Sequence, residues 1–90
     1  MVGLCDRGDA GAVNNLGVLY SQMGQTNDAI AAFEYGIRVA PDDEMLYMNL
    51  GRVYVRMGDR ARARDAMLRL LERKPDSKAA ASALRELESR

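Results

Sequence analysis

Apolar residues recur along most of the chain at the three- and four-residue spacing of amphipathic helices. In the first stretch, Val13, Leu16 and Tyr20 follow this rule, and the run stops at Gly24. Four more stretches follow, separated by short polar breaks that contain glycine or proline. Their approximate limits are Ala29 to Val39, Met45 to Met57, Arg60 to Arg73 and Lys78 to Arg90. The pattern predicts an all-α chain of five helices.

The breaks between the stretches carry residues that end helices. Gly24 and Gly58 suit the left-handed conformation that commonly follows a helix, because glycine has no Cβ to clash there. Pro41 and Pro75 cannot continue a helical hydrogen-bond ladder and push the residue before them away from helical geometry. The first and third helices are therefore expected to end at glycine turns, and the second and fourth at proline turns.

Short polar residues stand where the next helix begins. Their side-chain oxygens can accept from the free backbone N–H groups of a first helical turn. We expect Thr26 or Asn27 to cap the second helix, Asp42 or Asp43 the third, and Asp59 the fourth. The run Lys74-Pro75-Asp76-Ser77 provides the same stop and cap before the fifth helix.

A repeat underlies these elements. Residues 15–20 (Asn-Leu-Gly-Val-Leu-Tyr) return as residues 49–54 (Asn-Leu-Gly-Arg-Val-Tyr), a shift of 49 − 15 = 34 positions. At the same shift, Ala29 and Phe33 return as Ala63 and Met67, as do the glycine and proline of the turns. A period of this length predicts a solenoid unit that buries its apolar face against a neighbouring unit.

The repeated positions resemble those of the tetratricopeptide repeat family. The first copy matches through Val13, Leu16, Gly17, Tyr20, Ala29, Phe33 and Pro41, and the second through Tyr47, Leu50, Gly51, Tyr54, Ala63, Met67 and Pro75. The resemblance implies antiparallel helix-turn-helix repeats stacked as a short right-handed α-solenoid. We expect a flexible lead-in over 1–9, two repeats over 10–43 and 44–77, and a capping helix over 78–90.

Gly17 and Gly51 lie inside helices, where glycine costs about 1 kcal/mol relative to alanine. Close approach of the two helices of a repeat would offset that cost, with Ala29 or Ala63 fitting near the missing side chain. In this interpretation Leu16, Gly17 and Tyr20, like their counterparts in the second copy, hold helices together. The tyrosine rings pack between helices with their hydroxyls at a partner or in water; ligand stacking is the alternative.

The resemblance also implies that the first helix of each repeat lines a concave groove. The candidate binding residues on it are Asn14, Asn15, Val18, Ser21, Gln22, Met45, Met48, Asn49, Arg52, Val55 and Arg56, bordered by Ser82, Ala83 and Glu86 of the last helix. Amides can bond a peptide backbone, methionines adapt to apolar side chains, and arginines pair with carboxylates. The expected partner is a protein or peptide segment with acidic groups. Alternatively, these are merely exposed helix residues.

One ligand class of the family can be examined directly. Its chaperone-binding members hold a C-terminal carboxylate pair with two lysines, two asparagines and an arginine. The corresponding residues here are Asn14, Val18, Asn49, Ala79 and Ala83. Because only Asn49 matches, we expect no binding of chaperone tails by that mechanism.

The charges balance overall but not along the chain. There are 13 basic and 13 acidic side chains, which gives no argument for nucleic acid as a partner. Residues 1–43 carry two basic and six acidic groups, giving 2 − 6 = −4, whereas residues 44–90 carry 11 − 7 = +4. The outer side of the first repeat would also leave apolar surface uncovered. Both features favour a second hypothesis, self-assembly. The chain would then assemble with copies of itself, end to end or by helix exchange.

The chemistry of catalysis and metal binding is poorly represented. The chain has no histidine, and its single cysteine, Cys5, has no neighbouring base. Capping explains Asp42, Asp43 and Glu44, and the arginines of the fourth helix are interleaved with acids, which favours a solvated, ion-paired face. We therefore expect no enzyme activity, cofactor or metal. No run approaches the roughly 20 apolar residues of a membrane span, which favours a soluble protein, with the cytoplasm as the preferred compartment.

Overall fold

The computed structural model describes residues 10–88, and every regular element within them is an α-helix. The helices are α1 (Ala10–Gln22), α2 (Thr26–Val39), α3 (Glu44–Arg56), α4 (Arg60–Arg73) and α5 (Lys78–Glu88). The predicted all-α class is therefore confirmed. The expected lead-in over 1–9, with Cys5, and the last two residues of the expected capping helix lie outside the described residues.

The two glycine turns have the same geometry. Gly24 and Gly58 both adopt a φ of 81°, the left-handed conformation that the sequence predicts. After each glycine the chain turns back, and the next backbone N–H bonds a carbonyl of the preceding helix. Gln25 N donates to Tyr20 O and Asp59 N to Tyr54 O, both at 2.9 Å. The turns set α2 against α1 and α4 against α3.

Three of the four expected caps form. A carboxylate oxygen of Asp43 accepts from Met45 N at 3.1 Å, and one of Asp59 accepts from Arg62 N at 3.1 Å. Ser77 Oγ accepts from Ala80 N at 3.2 Å. Each cap satisfies a backbone donor that has no partner inside the helix.

The expected cap of α2 is wrong. Thr26 and Asn27 both lie within the helix, and Gln25 occupies the cap position without accepting a hydrogen bond through its side chain. Gln25 is the repeat counterpart of Asp59, since 25 + 34 = 59. The shared turn thus fixes where α2 begins, and glutamine is not among the residues that readily cap a helix.

Consecutive helices pack against each other, and α3 also touches α1. One continuous core runs between them, formed by Ala29, Phe33, Ile37, Leu46, Tyr47, Leu50, Val53, Tyr54, Ala63, Ala66, Met67, Leu70 and Ala80. Helix α3 contributes the most, since it packs against three helices, α1, α2 and α4. This is the architecture of an all-helical repeat, as the sequence predicts.

The interior glycines do mark close approaches, and the nearest neighbours are larger than the expected alanines. A Cβ added to Gly17 would lie 2.5 Å from Phe33 Cε1, and one on Gly51 would lie 2.8 Å from Met67 Cε. Of the expected alanines, Ala63 does lie near Gly51, with its carbonyl oxygen 3.8 Å from the Cβ position, whereas the three atoms nearest Gly17 all belong to Phe33. The larger side chains reach across instead, so the aromatic or thioether end of the facing helix lies in the space next to each glycine.

The outer face of α1 is uncovered within the described residues. Leu16, Leu19 and Met23 are 44%, 50% and 59% exposed, whereas Leu50, the repeat counterpart of Leu16, is fully buried. The expectation that Leu16 holds helices together is therefore wrong. Leu50 is covered by the repeat that precedes it, and no described element precedes α1.

The core thins towards the ends of α2 and α5. Val39, at the end of α2, is 36% exposed. On α5, Ala80 is fully buried and Leu84 and Leu87 are half-buried against the core, while Ala81 is exposed.

Candidate functional site

Two cavities open on the side of the molecule formed by α1, α3 and α5. The first cavity has a volume of about 210 Å³ and is lined by Val18, Ser21, Gln22, Phe33, Asn49, Arg52, Val53 and Arg56. The second cavity has a volume of about 600 Å³ and is lined by Met48, Gly51, Arg52, Val55, Gly58, Arg60, Ala63, Met67, Ala83, Glu86 and Leu87. Together they form the candidate groove.

The repeat relates these cavities to each other. Six lining residues of the first cavity, shifted by 34 positions, become lining residues of the second. Val18, Ser21, Phe33, Asn49, Arg52 and Val53 correspond to Arg52, Val55, Met67, Ala83, Glu86 and Leu87. Arg52 belongs to both sets and stands between the cavities. The groove therefore has two equivalent cavities, one for each junction between neighbouring repeat units.

The two cavities differ in chemistry because several equivalent positions of the two repeats carry different residues. The first has an aromatic ring, Phe33, among its lining residues and a polar rim of amide, hydroxyl and guanidinium groups. The second has Met67 in the same place and a mostly apolar lining, with Arg60 and Glu86 at its edge. The second cavity is also nearly three times larger.

Two hydrogen bonds join α1 to α3 along the first cavity. Asn49 Nδ2 donates to Asn14 Oδ1 at 2.6 Å, and Arg56 Nη1 donates to Ser21 Oγ at 2.8 Å. An amide carries both donors and acceptors, so each asparagine keeps further hydrogen-bonding capacity at this position. The polar side chains of the rim are thus held in place by partners across the groove.

Most of the predicted site residues lie at the cavities. Val18, Gln22, Asn49, Arg52 and Arg56 line the first cavity and Met48 the second, while Asn14 is attached to the first through Asn49. Three do not: Asn15, Met45 and the bordering Ser82 are exposed and line neither cavity, and Met45 is 57% exposed.

Part of the lining is not predicted from the sequence. The predicted groove residues belong to the first helices of the repeats and to the last helix, whereas Phe33 and Met67 come from the second helices and Arg60 from the start of α4. The interior glycines were the available clue to this lining. Because glycine has no side chain, the residue that faces it on the partner helix can line the groove.

Three arginines of α4, Arg62, Arg69 and Arg73, form ion pairs. Arg69 forms a two-pronged ion pair with Glu34, both N···O distances being 3.1 Å, and Arg73 pairs with Asp42 at 3.0 Å. The ion-paired face expected for α4 is present at these residues. By contrast, Arg52 and Arg56 make no ion pair with any residue between 10 and 88.

The buried tyrosines are packed within the fold. Tyr47 and Tyr54 belong to the core, and burial raises the pKa of both phenols because it disfavours the phenolate. The Tyr47 hydroxyl donates to Pro41 O at 2.6 Å, and the Arg69 guanidinium lies 5.8 Å from the centre of the Tyr47 ring. The hydrogen bond between Arg69 and Glu34 raises the pKa of the Arg69 guanidinium.

Other kinds of site find little support in the described part of the chain. Residues 10–88 contain no group of three acidic or cysteine side chains placed to hold a metal ion. None of the described helices has the length and apolar content needed to cross a membrane.

Comparison with known proteins accounts for the repeated architecture. A tetratricopeptide repeat family model matches residues 20–87, which is most of the chain. No curated protein matches it in a sequence search. Five helices pack in succession, and turn and core residues recur every 34 positions, in agreement with the family match. Members of that family are non-catalytic helical repeats that generally mediate protein–protein interaction and scaffolding. The chain belongs to the tetratricopeptide repeat family.

Proposed function

We propose that this chain binds a peptide segment of a partner protein in the groove formed by α1, α3 and α5, and so acts as a scaffold or adaptor. The observation that carries the proposal is the pair of repeat-related cavities with Arg52 between them. Concave sites with a mixed apolar and polar lining are where proteins usually bind ligands. A segment with acidic groups suits the groove, because its arginines have no acidic partner among the described residues.

Capture of partners by charge-reversal variants tests this function. The variant Arg52→Glu/Arg56→Glu changes two exposed side chains of the groove. The control Arg64→Glu/Lys78→Glu makes the same change in net charge at two exposed positions that line neither cavity. A partner captured by the native chain and by the control, but lost in the groove variant, supports the proposal. Equal capture by both variants would move the interaction to another surface.

Self-assembly is a second candidate, and a different observation favours it. The outer face of α1 exposes Leu16, Leu19 and Met23, and α1 contains no charged residue. Exposed apolar patches of this kind often mark interaction surfaces. Without charges, two copies of the helix could pack together with no like-charge repulsion.

Sedimentation over a range of protein and salt concentrations tests self-assembly. We expect oligomers of the native chain to dissociate in the variant Leu16→Gln/Leu19→Gln, while the groove variant Arg52→Glu/Arg56→Glu stays associated. A native chain that remains monomeric at high concentration would exclude this candidate. A salt-sensitive oligomer would favour head-to-tail contact between the oppositely charged halves.

A further inference from the structure

We propose that the groove selects a segment in the polyproline II conformation in which a carboxylate and a bulky apolar side chain stand about three residues apart on one face. The carboxylate binds at the first cavity and the apolar side chain enters the second. The inference rests on the peptide-binding function proposed above and specifies the ligand that the two cavities would select.

The first cavity suits a carboxylate. Its rim carries Arg52 and Arg56, and no acidic side chain is among its lining residues. Within residues 10–88 neither arginine forms an ion pair, whereas Arg62, Arg69 and Arg73 of α4 each pair with a carboxylate. A guanidinium binds a carboxylate with two parallel hydrogen bonds, which makes an external acid a specific ligand here. The small volume, about 210 Å³, fits a short acidic side chain.

The second cavity suits an apolar side chain. Met48, Val55, Met67 and Leu87 give it an apolar lining, and its volume is about 600 Å³. Its charged lining residues are Arg52, Arg60 and Glu86, and unlike the first cavity it includes an acidic side chain. Methionine side chains adapt to apolar groups of different shape, so this cavity would accept leucine, methionine or phenylalanine.

The repeat sets the distance between the two sites. The cavities lie on either side of α3, and α1 packs directly against α3. Helices in contact have axes about 8–10 Å apart, and the 34-residue repeat implies a step of similar size to the next junction. A segment in the polyproline II conformation advances about 3.1 Å per residue and returns every third side chain to the same face. Neighbouring cavities therefore correspond to side chains about three residues apart.

The polar pair beside the first cavity would hold the main chain of such a segment. Asn49 Nδ2 is engaged with Asn14 Oδ1, whereas Asn14 Nδ2 and Asn49 Oδ1 make no side-chain hydrogen bond with residues 10–88. One is a donor and the other an acceptor, which are the two groups that a peptide unit requires. This main-chain contact does not depend on the ligand's sequence, so selection falls to the two cavities.

Spacing-scanned peptides test the inference. The probes are short fluorescein-labelled peptides with one leucine and one glutamate in a glycine-serine background, separated by one to six positions in both orders. Binding to the native chain is measured by fluorescence anisotropy. We expect the tightest binding in one order at a separation near three, about tenfold tighter than at a separation of one. Replacing that glutamate by glutamine should weaken binding about tenfold.

Variants of the protein separate the two sites. Arg52→Glu should abolish binding, and Val55→Asp should weaken the best peptide at least about tenfold by placing a charge in the second cavity. Both positions are exposed, so the fold should tolerate the changes, and circular dichroism checks this. Arg64→Glu, an exposed change that lines neither cavity, is the matched control.

The outcomes distinguish this inference from the function on which it rests. Binding that is lost in Arg52→Glu but is equal at every separation would overturn the two-cavity spacing and leave peptide binding in the groove standing. Absence of binding by every probe, or binding that Arg52→Glu leaves unchanged, would overturn both.

Discussion

The ring of Phe33 lies against the backbone of Gly17, with three ring carbons at 2.5, 2.7 and 2.8 Å from where a Cβ at position 17 would stand. At the equivalent place in the second repeat unit, only the terminal methyl of Met67 comes within 3 Å of the Cβ position of Gly51. A rigid buried ring cannot yield as a methionine methyl can. The two glycines are therefore predicted to differ in how they tolerate a side chain.

We predict that Gly17→Ala lowers the free energy of unfolding by about 1–3 kcal/mol through overpacking. Gly51→Ala should change it by less than about 1 kcal/mol, because Met67 can move aside and alanine gains helix propensity. Urea unfolding measures both values. In the background Phe33→Met, the effect of Gly17→Ala should shrink towards that of Gly51→Ala, and equal losses for the two glycines in the native background would contradict the prediction.

Supplying the missing cap of α2 should stabilise the protein. Gln25 and Asp59 occupy equivalent turns with similar backbone angles, φ −88° and ψ 73° for Gln25 and φ −99° and ψ 80° for Asp59. Since Asp59 caps α4 there, Gln25→Asp should raise the free energy of unfolding by about 0.5–1 kcal/mol. Asp59→Ala should lower it by a similar amount. Thermal unfolding checks both, and a neutral Gln25→Asp would mean that the turn alone does not permit the cap.

The two copies of the repeated leucine should respond differently to truncation. Leu50 is fully buried, so Leu50→Ala should cost about 2–5 kcal/mol. Leu16 is 44% exposed, so Leu16→Ala should cost less than about 1 kcal/mol. Chemical denaturation of dilute protein gives both values. A large loss for Leu16→Ala at low concentration would indicate that something covers α1 in solution.

The ion pair between Glu34 and Arg69 should contribute modestly. Its geometry is two-pronged, but both side chains are more than a third exposed. Solvent screening limits such pairs, and we expect a coupling free energy of about 0.5–1 kcal/mol. A double-mutant cycle with Glu34→Gln and Arg69→Met measures it at low and high salt. The coupling should fall as salt rises, and no coupling at low salt would contradict the prediction.

Alkaline pH should destabilise the fold through Tyr47 and Tyr54. Burial raises the pKa of both phenols above the ordinary 10.0, so the folded state binds their protons more tightly than the unfolded state does. Their contribution is fully present below pH 10 and is lost as pH rises through the raised pKa. Urea unfolding on either side of pH 10 should show this fall.

A tyrosine-to-phenylalanine series identifies the source. Tyr47→Phe should cost about 1 kcal/mol at neutral pH through its lost hydrogen bond to Pro41, yet its stability should decline less steeply above pH 10. Tyr35→Phe, at an exposed position, is the control and should decline as steeply as the native protein. A Tyr47→Phe variant that declines like this control would exclude Tyr47 as the group responsible.

The sequence predicts the helices well because their ends depend on local chemistry. Gly24, Gly58 and the cap Asp59 act within one helical turn of their own positions, and all three do as expected. The cap of α2 was misplaced since it depends on how the preceding turn closes. The burial of Leu16 is predicted wrongly for another reason. A leucine at the same repeat position is buried only where another helix covers it, and the repeat pattern does not show whether such a helix is present.

The candidate site could be predicted only in part. Position along the first helices is enough to find Arg52 and Arg56, since those faces recur every 34 residues. It cannot reveal that Phe33 and Met67 reach the groove beneath the interior glycines, because this depends on distances between helices. Nor can it reveal which arginines already have acidic partners. The pairs of Arg69 and Arg73 join residues more than 30 positions apart.

Helix α3 lies in the middle of the described helices and has seven buried residues, whereas α5 has one. Local opening should therefore begin at α5 and at the uncovered α1, with α3 the last to lose its backbone hydrogen bonds. A ligand spanning both cavities would contact α3, the helix that opens last, and also α1 and α5, the two that open first. Its affinity would then include the conformational entropy of holding those end helices closed, so binding strength and order at the two ends would rise and fall together.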